Sequence, residues 1–147
     1  MHQTVRDLDH PDFYVSALLA RWRAATATLR WVNCGHPPAY VVDVKGELDE
    51  LGGASHPSFG VGEQERSFRI SERQLHAGER LILVTDGIMS RQMEGGGTFG
   101  LDGLRTAVAS AAHPTAAVTA MAIQQAVTQC WKEPLDDDAT VVVMSVE

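Results

Sequence analysis

The chain has 147 residues, 44% apolar and 21% charged, with a mean hydropathy of −0.10, which fits one globular domain with a core of its own and excludes a disordered tail. With 19 acidic against 12 basic residues the formal charge is −7, which argues against nucleic acid as a partner. No apolar run approaches the ~20 residues of a membrane helix, so no membrane partner is expected, and two distant cysteines, Cys34 and Cys130, exclude a disulfide scaffold or a zinc ribbon.

Residues 1–12 are polar, with Asp7, Asp9, His10 and Asp12 in a cluster, and read as a solvated lead-in to a domain over 13–147. They lack the basic-then-apolar order of a signal peptide, and with two reduced thiols the expected location is cytoplasmic. Phe13 to Trp22 and Thr28 to Val32 are β-friendly and read as a hairpin. Asn33-Cys34-Gly35-His36-Pro37-Pro38 then interrupts the pattern, because glycine permits unusual backbone angles and proline removes donors. Ala39 to Val44 and Glu47 to Leu51 form a second hairpin about Lys45-Gly46. After a Gly-, Ser- and Pro-rich loop over 52–62, Ser67 to Ile70 alternates as a half-buried strand should.

Arg80-Leu81-Ile82-Leu83-Val84 is a continuous apolar run after an initial arginine, the pattern of a strand covered on both faces. It ends at Thr85-Asp86-Gly87. Beyond a glycine run at 95–97, apolar residues recur every three or four positions, predicting helices over 100–112 and 115–131 separated by Pro114. Asp136-Asp137-Asp138 leads into Ala139 to Met144, a second strand of buried character. The order of strands then helices predicts an α/β sandwich of mainly antiparallel sheet flanked by helices. The glycine run lacks a P-loop lysine, so a nucleotide-binding loop is not supported.

One acid closes a buried strand and three others open a second. If those strands are antiparallel neighbours, the carboxylates project at one edge of the sheet on rigid elements. Hard cations such as Mg²⁺ and Mn²⁺ take such oxygen ligands. Acids at strand ends also serve as turn residues or solvated charge, and spacing alone leaves both readings open.

Leu83-Val84-Thr85-Asp86-Gly87, the Asn33 to Pro38 segment and Pro134-Leu135-Asp136-Asp137-Asp138-Ala139-Thr140-Val141 together resemble the bacterial metal-dependent protein phosphatases of the PPM type, in the group of stage II sporulation protein E and the sigma-factor regulatory phosphatases. Gly60, Ala77-Gly78-Glu79-Arg80-Leu81 and Thr98-Phe99-Gly100-Leu101 add to the resemblance, which runs from about Phe13 to Val146. It implies Asp86 and Asp137 as metal ligands, with Gly87, Asp138 and His36 adjacent to the site, His36 in a structural role. It also implies two Mn²⁺ or Mg²⁺ ions that activate a bridging water for in-line attack on phosphoserine or phosphothreonine. The substrate it implies is a phosphorylated signalling protein resembling an anti-anti-sigma factor.

The family's N-terminal portion, with its Asp-Gly metal motif and Gly-His-Gly stretch, has no counterpart in these 147 residues. The expectation is therefore a PPM-like fold lacking its N-terminal part, binding metal weakly and turning over little by itself. A phosphatase-derived binding or regulatory module without turnover is the alternative. Sheet edges left unpaired by the missing strands would favour a homodimer.

Overall fold

Alternation of apolar and polar residues sets the strands, and three-to-four spacing sets the helices. The computed structural model describes residues 4–5, 13–53, 55–62, 67–111, 115–130 and 132–147. In chain order the strands are β1 (Ala17–Arg23), β2 (Thr28–Cys34), β3 (Tyr40–Val42), β4 (Leu48–Glu50), β5 (Ser55–His56), β6 (Ser71–Gln74), β7 (Arg80–Val84) and β8 (Val141–Ser145). The helices are α1 (Asp86–Met89), α2 (Gly100–Ala109) and α3 (Ala116–Gln129). The chain divides into two units, Met1–Pro38 with Gly52–Leu75, and Ala39–Leu51 with His76–Glu147.

In the first unit β1 and β2 pair antiparallel from Ala17↔Cys34 to Arg23↔Thr28. A 3-10 turn over Ala24–Thr26 joins them, and Ala27 reverses the chain at φ 46°, a left-handed conformation that costs an L-residue about 1 kcal/mol. β6 pairs antiparallel with β2, whereas the short β5 pairs parallel to it. One face of this sheet buries Leu29 and Trp31; on the other, Leu19, Arg21 and Arg30 are exposed. β2 runs on through Asn33 and Cys34, where the sequence read an interruption, and Asn33 closes the turn that follows. Its Nδ2 donates to the His36 carbonyl at 2.8 Å, and its Oδ1 accepts from the His36 N–H at 2.9 Å.

The second unit holds an antiparallel sheet in the order β4-β3-β7-β8. Tyr40, Val42, Ile82 and Val84 share one face, against which Ile88, Leu104, Val108, Ile123 and Val127 pack. Ile82 and Ile123 are fully buried, and burial of each such side chain contributes about 1.5–3 kcal/mol. Thr115 caps α3 by accepting from the Val118 N–H at 3.3 Å. A serine, threonine or acid in that position satisfies a donor the helix cannot satisfy itself.

The two apolar runs lie side by side as expected, paired antiparallel from Arg80↔Ser145 to Val84↔Val141. Several expectations need correction. The strand read at Ser67 to Ile70 is irregular and exposed, and pairing begins only at Ser71. β1 starts at Ala17, with Phe13 and Tyr14 exposed before it. β8 is not buried on both faces, since Val142 is 53% exposed, and among the described strands it stands at the edge of its sheet. The helix over 86–89 carried no periodic signal, being a single turn. Cys34 is buried and Cys130 half-buried, without a disulfide among the described residues. The acidic cluster at 7–12, Pro114 and the outer ends of the expected helices at 112 and 131 lie outside the described residues.

Arg80 is one of the few buried charged residues among those described. It is 3% exposed and its Nη1 donates to the Thr119 hydroxyl of α3 at 2.5 Å, while its Nε meets no acceptor among the described residues. Burial pulls its pKa below the ordinary guanidinium value. No acid pairs with it among the described residues, and a buried cation so placed spends stability on desolvation that one hydroxyl does not recover. Arg80→Met should therefore leave stability unchanged or raise it, by up to about 3 kcal/mol. Thr119→Val, which strands the guanidinium, should lower it by about 1–3 kcal/mol. Urea unfolding of both variants checks this, and a large loss in Arg80→Met would refute it.

Candidate functional site

The acidic end of the second sheet forms where β7 ends and β8 begins. The ladder continues one step past the last strand pair, since the Thr85 N–H donates to the Thr140 carbonyl at 3.1 Å. Thr85 precedes α1 and holds the N-cap position, yet its side chain makes no capping bond. Its hydroxyl is occupied across the loop. Oγ1 donates to the Asp138 carbonyl at 3.0 Å and accepts from the Thr140 N–H at 2.9 Å. One side chain thus ties the end of β7 to both sides of Ala139.

Gly87 completes the junction. A Cβ there would fall 2.6 Å from the Asp138 carbonyl oxygen and 3.3 Å from the Asp137 carbonyl carbon. No real Cβ sits that close to backbone, so the sequence Thr-Asp-Gly has a steric reason as well as a chemical one. Arg91, 4% exposed, holds the same loop from upstream: Nη1 donates to the Pro134 carbonyl at 2.6 Å and Nη2 to the Glu133 carbonyl. Charge-assisted bonds of this kind are stronger than neutral ones. Neither the Thr85 clamp nor the Arg91 anchor was read from the sequence. A lone threonine or arginine carries no spacing signal that marks such a contact.

Asp86 and Asp137 are both exposed. Asp86 Oδ1 accepts from the Gly87 N–H at 3.1 Å, and Asp137 Oδ1 accepts from the Asp138 N–H at 2.7 Å. Each carboxylate is therefore steadied through one oxygen, and no described residue bonds the other. The close approach of residue 87 to residues 137 and 138 brings these two acids to one end of the sheet, with Asp138 beside them. His36 belongs to the other unit. There its Nδ1 lies 2.9 Å from the Pro37 carbonyl, a contact that suits the tautomer with the proton on Nδ1 and fits a turn-stabilising role.

Among the described residues no group of three or more His, Cys, Asp or Glu side chains is arranged to hold a metal ion. Two carboxylates at a rigid sheet end still suit one hard cation, because Mg²⁺ is commonly held by one or two carboxylates plus water or phosphate oxygens.

If the Thr85 and Gly87 contacts hold the junction, two substitutions separate their parts. Thr85→Val keeps the volume but removes both loop hydrogen bonds, and should cost about 1–2 kcal/mol, whereas Thr85→Ser should cost less. Gly87→Ala should cost about 1–3 kcal/mol through the forced shift of 137–138. Hydrogen exchange should show faster exchange of the Thr140 amide in Thr85→Val; an unchanged rate would show that the clamp is idle.

The family model for stage II sporulation protein E (SpoIIE) matches residues 1–147, the whole chain. Sequence comparison with curated proteins gives no match. Among solved structures, the SiaA-PP2C domain of Pseudomonas aeruginosa is similar with a TM-score of 0.79 at 20% identity, covering 99% of this chain and 57% of that one. The manganese-presoaked phosphatase domain of SpoIIE from Bacillus subtilis is similar with a TM-score of 0.72 at 16% identity, covering 99% of this chain and 64% of that one. RsbX in complex with magnesium gives a TM-score of 0.66 at 11% identity, covering 97% and 59%. At these identities the likeness shows the fold, and the chain spans less than two thirds of each of these structures. The mixed α/β architecture with its antiparallel sheets is that of the PP2C phosphatase domains. The chain belongs to the stage II sporulation protein E family.

Proposed function

We propose that this chain supplies one acidic side of a metal-dependent phosphatase centre that hydrolyses phosphoserine or phosphothreonine on a signalling protein. The observation that supports the reading is the junction of Thr85, Gly87 and Asp138, in which the loop that carries Asp137 packs against the glycine that follows Asp86. Membership of the family and the PP2C architecture support it.

Asp86 and Asp137 would hold the divalent ion, and one backbone hydrogen bond steadies each carboxylate. Bound there, Mg²⁺ or Mn²⁺ supplies a nucleophilic water and neutralises charge on the phosphoryl oxygens. The protein's own share is positional. Thr85 and Gly87 fix the loop, Arg91 holds its upstream arm, and the exposed carboxylates leave room for a phosphorylated loop to approach. A phosphorylated anti-anti-sigma-like protein is the substrate class the family reading favours.

The shortage of donors among the described residues favours a second reading, a binding or regulatory module without turnover. Calorimetric titration with Mn²⁺ should show weak binding that Asp86→Asn abolishes; equal binding by that variant would move the site elsewhere. Turnover of a phosphopeptide and of a small aryl phosphate by the 147-residue chain should be close to background in millimolar Mn²⁺. Rapid turnover lost in Asp137→Asn would establish the enzyme reading for the chain alone and disprove the expected shortage of ligands.

A further inference from the structure

Two strands compete for one side of β2, and the competition hands a backbone amide to a histidine. β6 pairs with β2 from Thr28↔Gln74 to Trp31↔Ser71. Continued in that register, Ile70 would face Val32, Arg69 would face Asn33 and Phe68 would face Cys34. β5 already holds the last two places, pairing parallel as Asn33↔Ser55 and Cys34↔His56. The chain over 67–70 therefore leaves the sheet, and its backbone groups must find partners other than β2.

His56 supplies one of them. The Arg69 N–H donates to His56 Nε2 at 3.1 Å, thirteen residues back along the chain. The His56 ring also meets Phe68 edge-on with centroids 5.3 Å apart, and Phe68 tilts against Phe59 at 6.0 Å. All of these residues lie in the first unit.

A backbone amide only donates, so the bond fixes the state of the ring. Nε2 must carry its lone pair, and the proton of the neutral imidazole must sit on Nδ1. In the imidazolium both nitrogens are donors. Protonation then sets one N–H against another, and no rotation of the ring restores an acceptor. The contact with Phe68 makes no such choice, because an aromatic ring tolerates a cation beside it. The charged and titratable groups on the neighbouring elements are few. β2 puts Cys34 opposite His56, β1 puts Ala17 opposite Cys34, and the departing segment brings Arg69. Glu72 of β6 is taken by Arg30, and among the described residues no acid pairs with His56 to hold it charged.

We infer that His56 is a pH-sensitive latch, holding the segment 67–70 beside β5 when neutral and releasing it when protonated. The latched state binds one proton fewer than the released state. The latch is therefore strongest above the range in which histidine titrates and is lost as pH falls through it. Histidine is the side chain whose ordinary titration falls between about pH 5 and 8, so modest acidification reaches the switch. Release moves Phe68 and Ile70, which wall an apolar depression of about 290 Å³ together with Val32 and Phe59. The motion stops at Ser71, where the ladder of β6 with β2 begins. The inference is independent of the phosphatase reading, since the latch belongs to the first unit and the acidic junction to the second.

The test follows single amides of the nitrogen-15-labelled 147-residue chain by NMR between about pH 7.5 and pH 5. Imidazole nitrogen shifts in the same samples report protonation of His56. Exchange protection of the Arg69 amide, corrected for the intrinsic effect of pH, should fall at least tenfold as His56 takes up its proton. The Leu29 amide, paired within the same sheet, should keep its protection. His56→Gln, whose side chain offers an acceptor that does not titrate, should remove the pH dependence, and His56→Ala should leave Arg69 unprotected throughout. Arg69 protection that stays constant while His56 titrates overturns the proposal, as does a loss of equal size over the same range in His56→Gln. A His56 ring that stays neutral down to pH 5, or a parallel loss at Leu29, overturns it as well.

Discussion

A Cβ atom at position 87 would lie 2.6 Å from the Asp138 carbonyl oxygen, so only hydrogen fits there, and the two acidic segments meet at that point. Thr85 secures the contact from one side with two hydrogen bonds to the loop, and Arg91 secures the loop's upstream arm. The antiparallel pairing of β7 and β8 supplies the frame and the glycine supplies the closeness. Asp86 and Asp137 then need only one backbone hydrogen bond each to be steadied. Rigidity at a site of exposed carboxylates comes here from the main chain beneath them. That suits a hard cation, whose affinity depends on oxygens held in place before it arrives.

Thr85 also shows how a capping residue can be diverted. It stands at the N-cap of α1, where a threonine hydroxyl ordinarily accepts from an early helix N–H, yet both of its hydrogen bonds leave the helix. α1 is a single turn over 86–89 and tolerates this because Ile88 is buried in the core and the Ser90 N–H bonds back to the Asp86 carbonyl at 2.7 Å. The fold gives up a local cap to gain a tie between segments more than fifty residues apart.

Much of the second unit was legible because its signals are local and strong. The apolar run at 81–84 is a strand as read, and both helices with three-to-four spacing are present, though they span Gly100–Ala109 and Ala116–Gln129 and so end short of the expected 100–112 and 115–131. The antiparallel pairing of β7 with β8 followed from a condition the sequence could pose but not settle. The irregular segment at 67–70 shows why alternation alone misleads. Phe68 and Ile70 alternate with polar residues, but they line a groove, and the hydrogen-bonding register begins one residue later. β8 was misread for the opposite reason. Val141 to Met144 is uniformly apolar, and nothing local tells a central strand from one at an edge. The clamp by Thr85 and the anchor by Arg91 depend on loops distant in sequence, so no single segment announces them.

The position of β8 has a consequence for handling and for evolution. Its outer row of backbone donors and acceptors is unpaired by any described strand, over a stretch of Val141-Val142-Val143-Met144 that carries neither charge nor proline. Natural edge strands are usually blunted by lysine, proline or a bulge, because an apolar edge templates the addition of further strands. Here the guards stand outside the strand, in the aspartates at 136–138 and in Glu147. Acids that flank an apolar strand are the residue type that discourages such additions. A substitution that removes one of these aspartates therefore changes two things at once, the acidic junction and the charge standing beside an apolar edge.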